Sequence, residues 1–191
     1  MFILAIVIAI IIGYLIRGNI RNLETVEFHG IWFAFSGFFI EFLIIMLIRN
    51  HIVTKGFITF SLEALMYLLL LLFTFINRRD PFLLMMGFGF LLNAVPIFFN
   101  GGTMPVSETA IKAIGLSIDV EKQGLWTLIN DNTKFAFLCD IMPMKFLTRF
   151  VMSIGDIIAA LGLMLFIITG MQKQTNKLCL KKYIDIKKTV E

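Results

Sequence analysis

Five long apolar runs, at residues 1–16, 31–48, 57–76, 81–99 and 150–170, leave this chain few folds other than a membrane bundle. The runs are continuous and do not alternate with period two, so helices are expected and a β-barrel is not. A hydrophobic content of 59% and a mean hydropathy of +0.90 over 191 residues exclude an ordinary soluble domain. The expected fold class is all-α, an integral membrane bundle of about five transmembrane helices (the membrane bundle occupying 1–170). A partly helical outer loop at 100–149 and a basic cytoplasmic tail at 171–191 complete it.

The first run has the length of a signal peptide, but no basic residues precede it and no small-x-small cleavage site follows it. Arg17 and Arg21 come after it, so it reads as an uncleaved anchor with its N-terminus outside. Arg78 and Arg79 in the tight turn at 77–81, and six lysines after Gly170, agree with that orientation. The chain is thus expected in a bacterial cytoplasmic membrane, multi-pass, with its C-terminus inside. Its partner is the lipid bilayer, with anionic lipid as a possible contact of the tail; no protein partner is identifiable. A net charge of +4 follows from this topology and implies no nucleic-acid partner. Cys139 and Cys179 fall on opposite sides, as do His29 and His51, so neither a disulfide, nor a metal site, nor a cofactor is expected.

Four runs each carry one strongly polar residue, Glu41, Glu63, Asn93 and Asp156, roughly six or seven residues from the outer end of the run. A charged side chain at the bilayer centre costs about 2.5 to 3.5 kcal/mol on the insertion scale, so such residues mark a site or a partnered interior position. Four at one level predict a polar chamber in the outer half. Pro96 should loosen the last turn of its helix, and Asn100-Gly101-Gly102 supplies a sharp turn that forms a wall of this chamber. In the outer loop, Ser107 opens one short helix and Val120 to Leu128 is expected to form another, with Trp126 at the headgroups. Residues 135–143 are expected to lie over the bundle mouth as a lid. Gly155 and Gly162 share a face of the last helix and should allow close helix approach.

The segments Gly13 to Asn19, Asn100-Gly-Gly-Thr-Met-Pro-Val106, Leu138-Cys-Asp-Ile-Met-Pro143 and Ser153-Ile-Gly-Asp156 with Gly162 occur in this order. Together they resemble a family of small multi-pass membrane proteins of clostridia-like bacteria, known only as a domain of unknown function. That resemblance implies fold and topology but no reaction. The last helix also bears a faint resemblance to lipoprotein signal peptidases, membrane aspartic peptidases with a glycine six residues after the catalytic aspartate. Asp156 and Gly162 keep that spacing, and Asp140 lies sixteen residues upstream. Ser153 and Gly155 depart from the peptidase motif, and no Asn-x-x-Asp-Arg surrounds Asp140.

Three functional classes follow. In the first, the chamber binds a lipid headgroup, a peptide or a partner protein through Glu41, Glu63, Asn93, Asn100, Gly101, Gly102 and Ser153. In the second, Asp156 and Asp140 form the catalytic pair of an intramembrane hydrolase, two carboxyls sharing a proton. In the third, Glu41 and Glu63 serve a small transporter, a reading weakened by the apolar inner half of the runs. Against all three stands a structural role. Glu41, Glu63 and Asn93 then act as interhelical glue, Asp140 caps local amides, and Asp156 accepts hydrogen bonds from the Asn100-Gly101-Gly102 turn.

Overall fold

A computed structural model of the chain describes residues 1–115, 124–145 and 149–190, with side chains described as far as Gln172. It is mostly helical. Helices α1 (Phe2–Leu15), α2 (Ile31–Arg49), α3 (Phe57–Ile76), α4 (Pro81–Phe99) and α6 (Ile154–Val190) build the bundle, and the small helix α5 (Glu108–Ala113) lies in the segment between α4 and α6. Four of them, α2, α3, α4 and the stretch Ile154–Gln172 of α6, are long and apolar enough to cross a membrane.

Local chemistry sets the helix ends. Asp80 caps α4 by accepting hydrogen bonds from the amides of Phe82 and Leu83 at 2.9 and 3.2 Å, and Pro81 fills the first turn where no donor is needed. At α3 the Thr59 hydroxyl receives the Gly56 amide at 2.9 Å. Pro96 is fully buried, and α4 continues past it to Phe99. The freed end of α4 is closed by Asn100, whose side-chain amide donates to the Pro96 carbonyl at 2.7 Å.

The centre of the bundle is α4. Half of its membrane window is buried, against 17% for α2, which leans mainly on α3 and exposes Trp32, Phe35, Phe39 and Phe42. The main core joins Met66, Tyr67, Leu70 and Phe73 of α3 to Leu83, Met86, Phe90 and Ala94 of α4 and Ala159 of α6. Small residues let α4 and α6 touch. A Cβ placed on Gly162 would meet the Met86 backbone nitrogen at 2.6 Å, and one on Gly155 would strike Asn93 and the Gly89 carbonyl.

α1 is apolar but short. Its 14 residues span about 21 Å, less than the roughly 30 Å of a hydrocarbon core. Its lower end is tied to α6, where the Asn19 amide and the Asn22 side chain both donate to the Met171 carbonyl, at 2.9 and 2.6 Å. At its other end Phe2 packs edge-on against Phe38 and Phe90, centroids 5.8 and 6.0 Å apart.

The connection between α4 and α6 departs from the sequence expectation. Strand β1 (Met104–Val106) pairs in parallel with β2 (Trp126–Leu128), and β3 (Met142–Met144) pairs antiparallel with β4 (Phe150–Met152). The helix expected from Val120 to Leu128 is thus a strand at its end, because Gly124, at φ +129, breaks any helix there; residues 120–123 lie outside the described residues. The last helix begins at Ile154, after β4, and not at residue 150. It then runs on without a break to Val190, through the stretch expected to be a separate tail. The lysine side chains of that tail lie outside the described residues.

Candidate functional site

The start of α6 organises the polar residues. Ser153 caps it in a reciprocal arrangement: its hydroxyl accepts the Asp156 amide at 2.9 Å, while Asp156 Oδ2 accepts the Ser153 amide at 3.2 Å. Asn93 closes the cluster from α4. Its amide nitrogen donates to Asp156 Oδ1 at 2.8 Å, and its oxygen accepts the Ser153 hydroxyl at 2.6 Å. Ser153 is wholly buried and Asn93 nearly so. Since Asn93 lies six residues before Phe99, about 9 Å along the helix, α6 starts well below the end of α4. Asp156 therefore occupies the first turn of its helix, not a position deep within it, and meets Asn93 there.

Three other carboxyl groups extend this cluster. Glu41 of α2 lies within electrostatic reach of both Asp156 and Glu63, and Asp140 within reach of Asp156. Tyr67, one turn below Glu63 on α3, is reached by all four acids. Met1, at the head of α1, is near Glu41 and Asp156, which places the short helix beneath the cluster. Glu41 and Asp156 are half-buried, whereas Glu63 is 4% and Asp140 6% exposed. Those two each keep one buried oxygen, Glu63 Oε2 and Asp140 Oδ1, with no hydrogen-bond partner among the described residues.

Asp140 is held by its backbone. Its amide donates to the Pro105 carbonyl at 3.0 Å and its carbonyl accepts the Ser107 amide at 2.8 Å, in a bridge beside Val106. Burial, and then Asp156, push its carboxyl up to about 8, against a smaller opposing pull from the Trp126 indole N–H that donates to it. Next to it, burial and the Asp140 charge push the Cys139 thiol up to about 11. Lys55, on the connection between α2 and α3, donates to the Trp126 carbonyl at 2.6 Å. Among the described residues, no three of His, Cys, Asp and Glu converge closely enough to hold a metal ion.

Asn100, Gly101 and Gly102 lie apart from the acids in their bonding. Asn100 exchanges hydrogen bonds with the backbone of Lys134, both at 2.9 Å, and so pins the loop to the end of α4. Gly101 and Gly102 adopt φ of +79° and +81°, and a Cβ on Gly102 would press on Phe60 at 2.8 Å. Asp156 thus takes its hydrogen bonds from Asn93 and Ser153, and not from this turn. Tyr67 and Trp126 have no counterpart among the sequence candidates. The four-residue spacing of Glu63 and Tyr67 was the available signal for the first, and Ser153-x-x-Asp156 is the signature of a capping box.

A model of a family of unknown function, DUF5317, matches residues 25–168. The chain belongs to that family. It is similar to an uncharacterized protein of Thermotoga maritima, 28% identical over 164 residues that cover 85% of this chain and 88% of the relative. No solved structure matches the chain. The matched region of the DUF5317 chain contains α2, α3 and α4 whole, the strand pairs and the first part of α6, and with them all four acids.

Proposed function

We propose that this DUF5317 protein is a multi-pass protein of the bacterial cytoplasmic membrane, N-terminus outside and C-terminus inside. Its acid cluster then faces outward and binds a positively charged segment of a peptide or partner protein. The observation that carries this reading is the pair of buried oxygens without partners, Glu63 Oε2 and Asp140 Oδ1. A buried acceptor left unpaired costs about 1–3 kcal/mol, which an incoming ammonium or guanidinium would recover. The half-buried Glu41 and Asp156 form the approach. Because the acids are strung between α2, α3, α6 and the loop rather than converging on one point, an extended ligand with several cationic groups suits them better than a single metal ion. A lipid headgroup amine is the smaller ligand of the same chemistry.

The test is thermal stabilisation of the detergent-solubilised protein by pentalysine, with pentaglutamate as control. The reading expects pentalysine alone to raise the melting temperature, less so at high salt. No shift with pentalysine, or an equal shift with pentaglutamate, contradicts it.

A second reading rests on Asp140 and Asp156. A carboxyl pushed up to about 8 beside another carboxyl is the pairing that acid–base peptide hydrolysis requires. No hydrogen bond joins the two acids among the described residues, so a water would have to sit between them. Cleavage of a peptide library lost in both Asp140→Asn and Asp156→Asn would favour it over binding alone.

A further inference from the structure

The opposite half of the bundle carries a second feature, unrelated to the acids. An open groove of about 830 Å³ runs between α3 and α4 on the outside of the bundle. Leu68, Leu72 and Phe75 form one wall, and Leu84, Phe88 and Leu91 the other. Thr74 and Gly87 form the floor. The floor is low because Gly87 has no side chain, and a Cβ there would collide with Thr74. It is also dry in character, since the Thr74 hydroxyl is spent on the Leu71 carbonyl at 3.0 Å.

The length and ends of the groove are informative. From Pro81 to Leu91 it follows α4 for roughly 15 Å, half of a hydrocarbon core about 30 Å thick, which is the depth of one leaflet. Its mouth lies at the turn between α3 and α4, where Arg78 and Arg79 are exposed. The Arg78 guanidinium stacks over the ring of Phe75, a groove residue, 4.8 Å from its centroid. The neighbouring Asp80 is committed to capping α4 through Phe82 and Leu83. An apolar channel one leaflet deep thus opens beneath the Arg78 guanidinium, with the exposed Arg79 next to it in the turn.

We infer that this groove binds one anionic glycerophospholipid, with an acyl chain between α3 and α4 and its phosphate on Arg78 and Arg79. Guanidinium groups pair with phosphate oxygens in a bidentate manner, and the stacking of Arg78 on Phe75 orders one of them beforehand. A zwitterionic lipid offers the same chain but places a cation beside the arginines. The groove therefore discriminates by headgroup charge.

Native mass spectrometry of the full chain, released from detergent carrying equal phosphatidylglycerol and phosphatidylcholine, tests this. The wild type should retain one phosphatidylglycerol per chain, preferred about tenfold over phosphatidylcholine. Arg78→Gln with Arg79→Gln should abolish the preference, and Leu84→Trp, which fills the groove from an exposed position, should abolish retention of either lipid. Matching melting temperatures show that both variants are folded. Equal retention of the two lipids by the wild type overturns the inference. So does a preference that survives loss of both arginines, or a dimer that forms without lipid and is broken by Leu84→Trp, since the groove would then seat a second copy.

Discussion

Asn93 and Asp156, 63 residues apart in sequence, meet through a 2.8 Å hydrogen bond that ties the last turns of α4 to the first turn of α6. Ser153 makes the third member of the cluster, and both Asp156 oxygens are occupied within it. Asp156 is therefore a builder of the acid cluster, holding α6 in register with α4.

Asp156→Asn puts an amide nitrogen where one of two donors now points, and Asn93→Ala leaves the Ser153 hydroxyl and Asp156 short of a partner. Each should cost about 1–3 kcal/mol. The double variant should cost less than the sum, because the two residues share one network. Urea unfolding in a fixed detergent, followed by tryptophan fluorescence, measures both.

The α4–α6 crossing admits no larger residue. Gly155→Ala drives a methyl into Asn93 and the Gly89 carbonyl and should destabilise by about 1–3 kcal/mol. Gly56→Ala is the control: nothing lies within 4 Å of its Cβ position and its backbone is extended at φ 168°, so its melting temperature should stay near wild type.

The helix bounds were largely legible in the sequence, and for identifiable reasons. Gly30 and Gly56, the Asp80-Pro81 cap, and the stops at Asn50, Asn77 and Asn100 bracket α2, α3 and α4, which fall within a residue of the expected runs. The start of α6 was not legible, because Phe150–Met152 is as apolar as the helix it precedes and only its pairing with β3 makes it a strand. The shortness of α1 was legible in its run of residues 1–16, which the 14-residue helix nearly fills. Glu41, Glu63, Asn93 and Asp156 stood out in the sequence as lone polar residues within apolar runs. Which of them would be bonded and which left open depended on the register between helices, which no single segment encodes.

Asp140 makes stability depend on pH. Its folded carboxyl is raised to about 8 from an ordinary value near 3.8, so its contribution is complete below about pH 4 and is lost as pH rises through 8. The wild type should melt progressively lower between about pH 4 and pH 8 and level off above that. Asp140→Asn should flatten that part of the profile.

Cys139 should be chemically silent in the folded protein, being fully buried with its thiol pushed up to about 11. In a Cys179→Ser background, labelling by N-ethylmaleimide at pH 7.5 should track unfolding. Rapid labelling of the native protein would mean that the segment around Cys139 opens.

The most direct test of the cationic-ligand reading is the affinity of pentalysine for wild type and for Glu63→Gln with Asp140→Asn, by isothermal titration at low salt. These changes neutralise the two carboxyl groups that each keep an unpartnered oxygen and leave the Asn93–Ser153–Asp156 cluster intact. The account predicts a loss of affinity of at least about tenfold, the equivalent of one charge-assisted hydrogen bond. Equal affinity in the two proteins would contradict it and return the acids to a structural role.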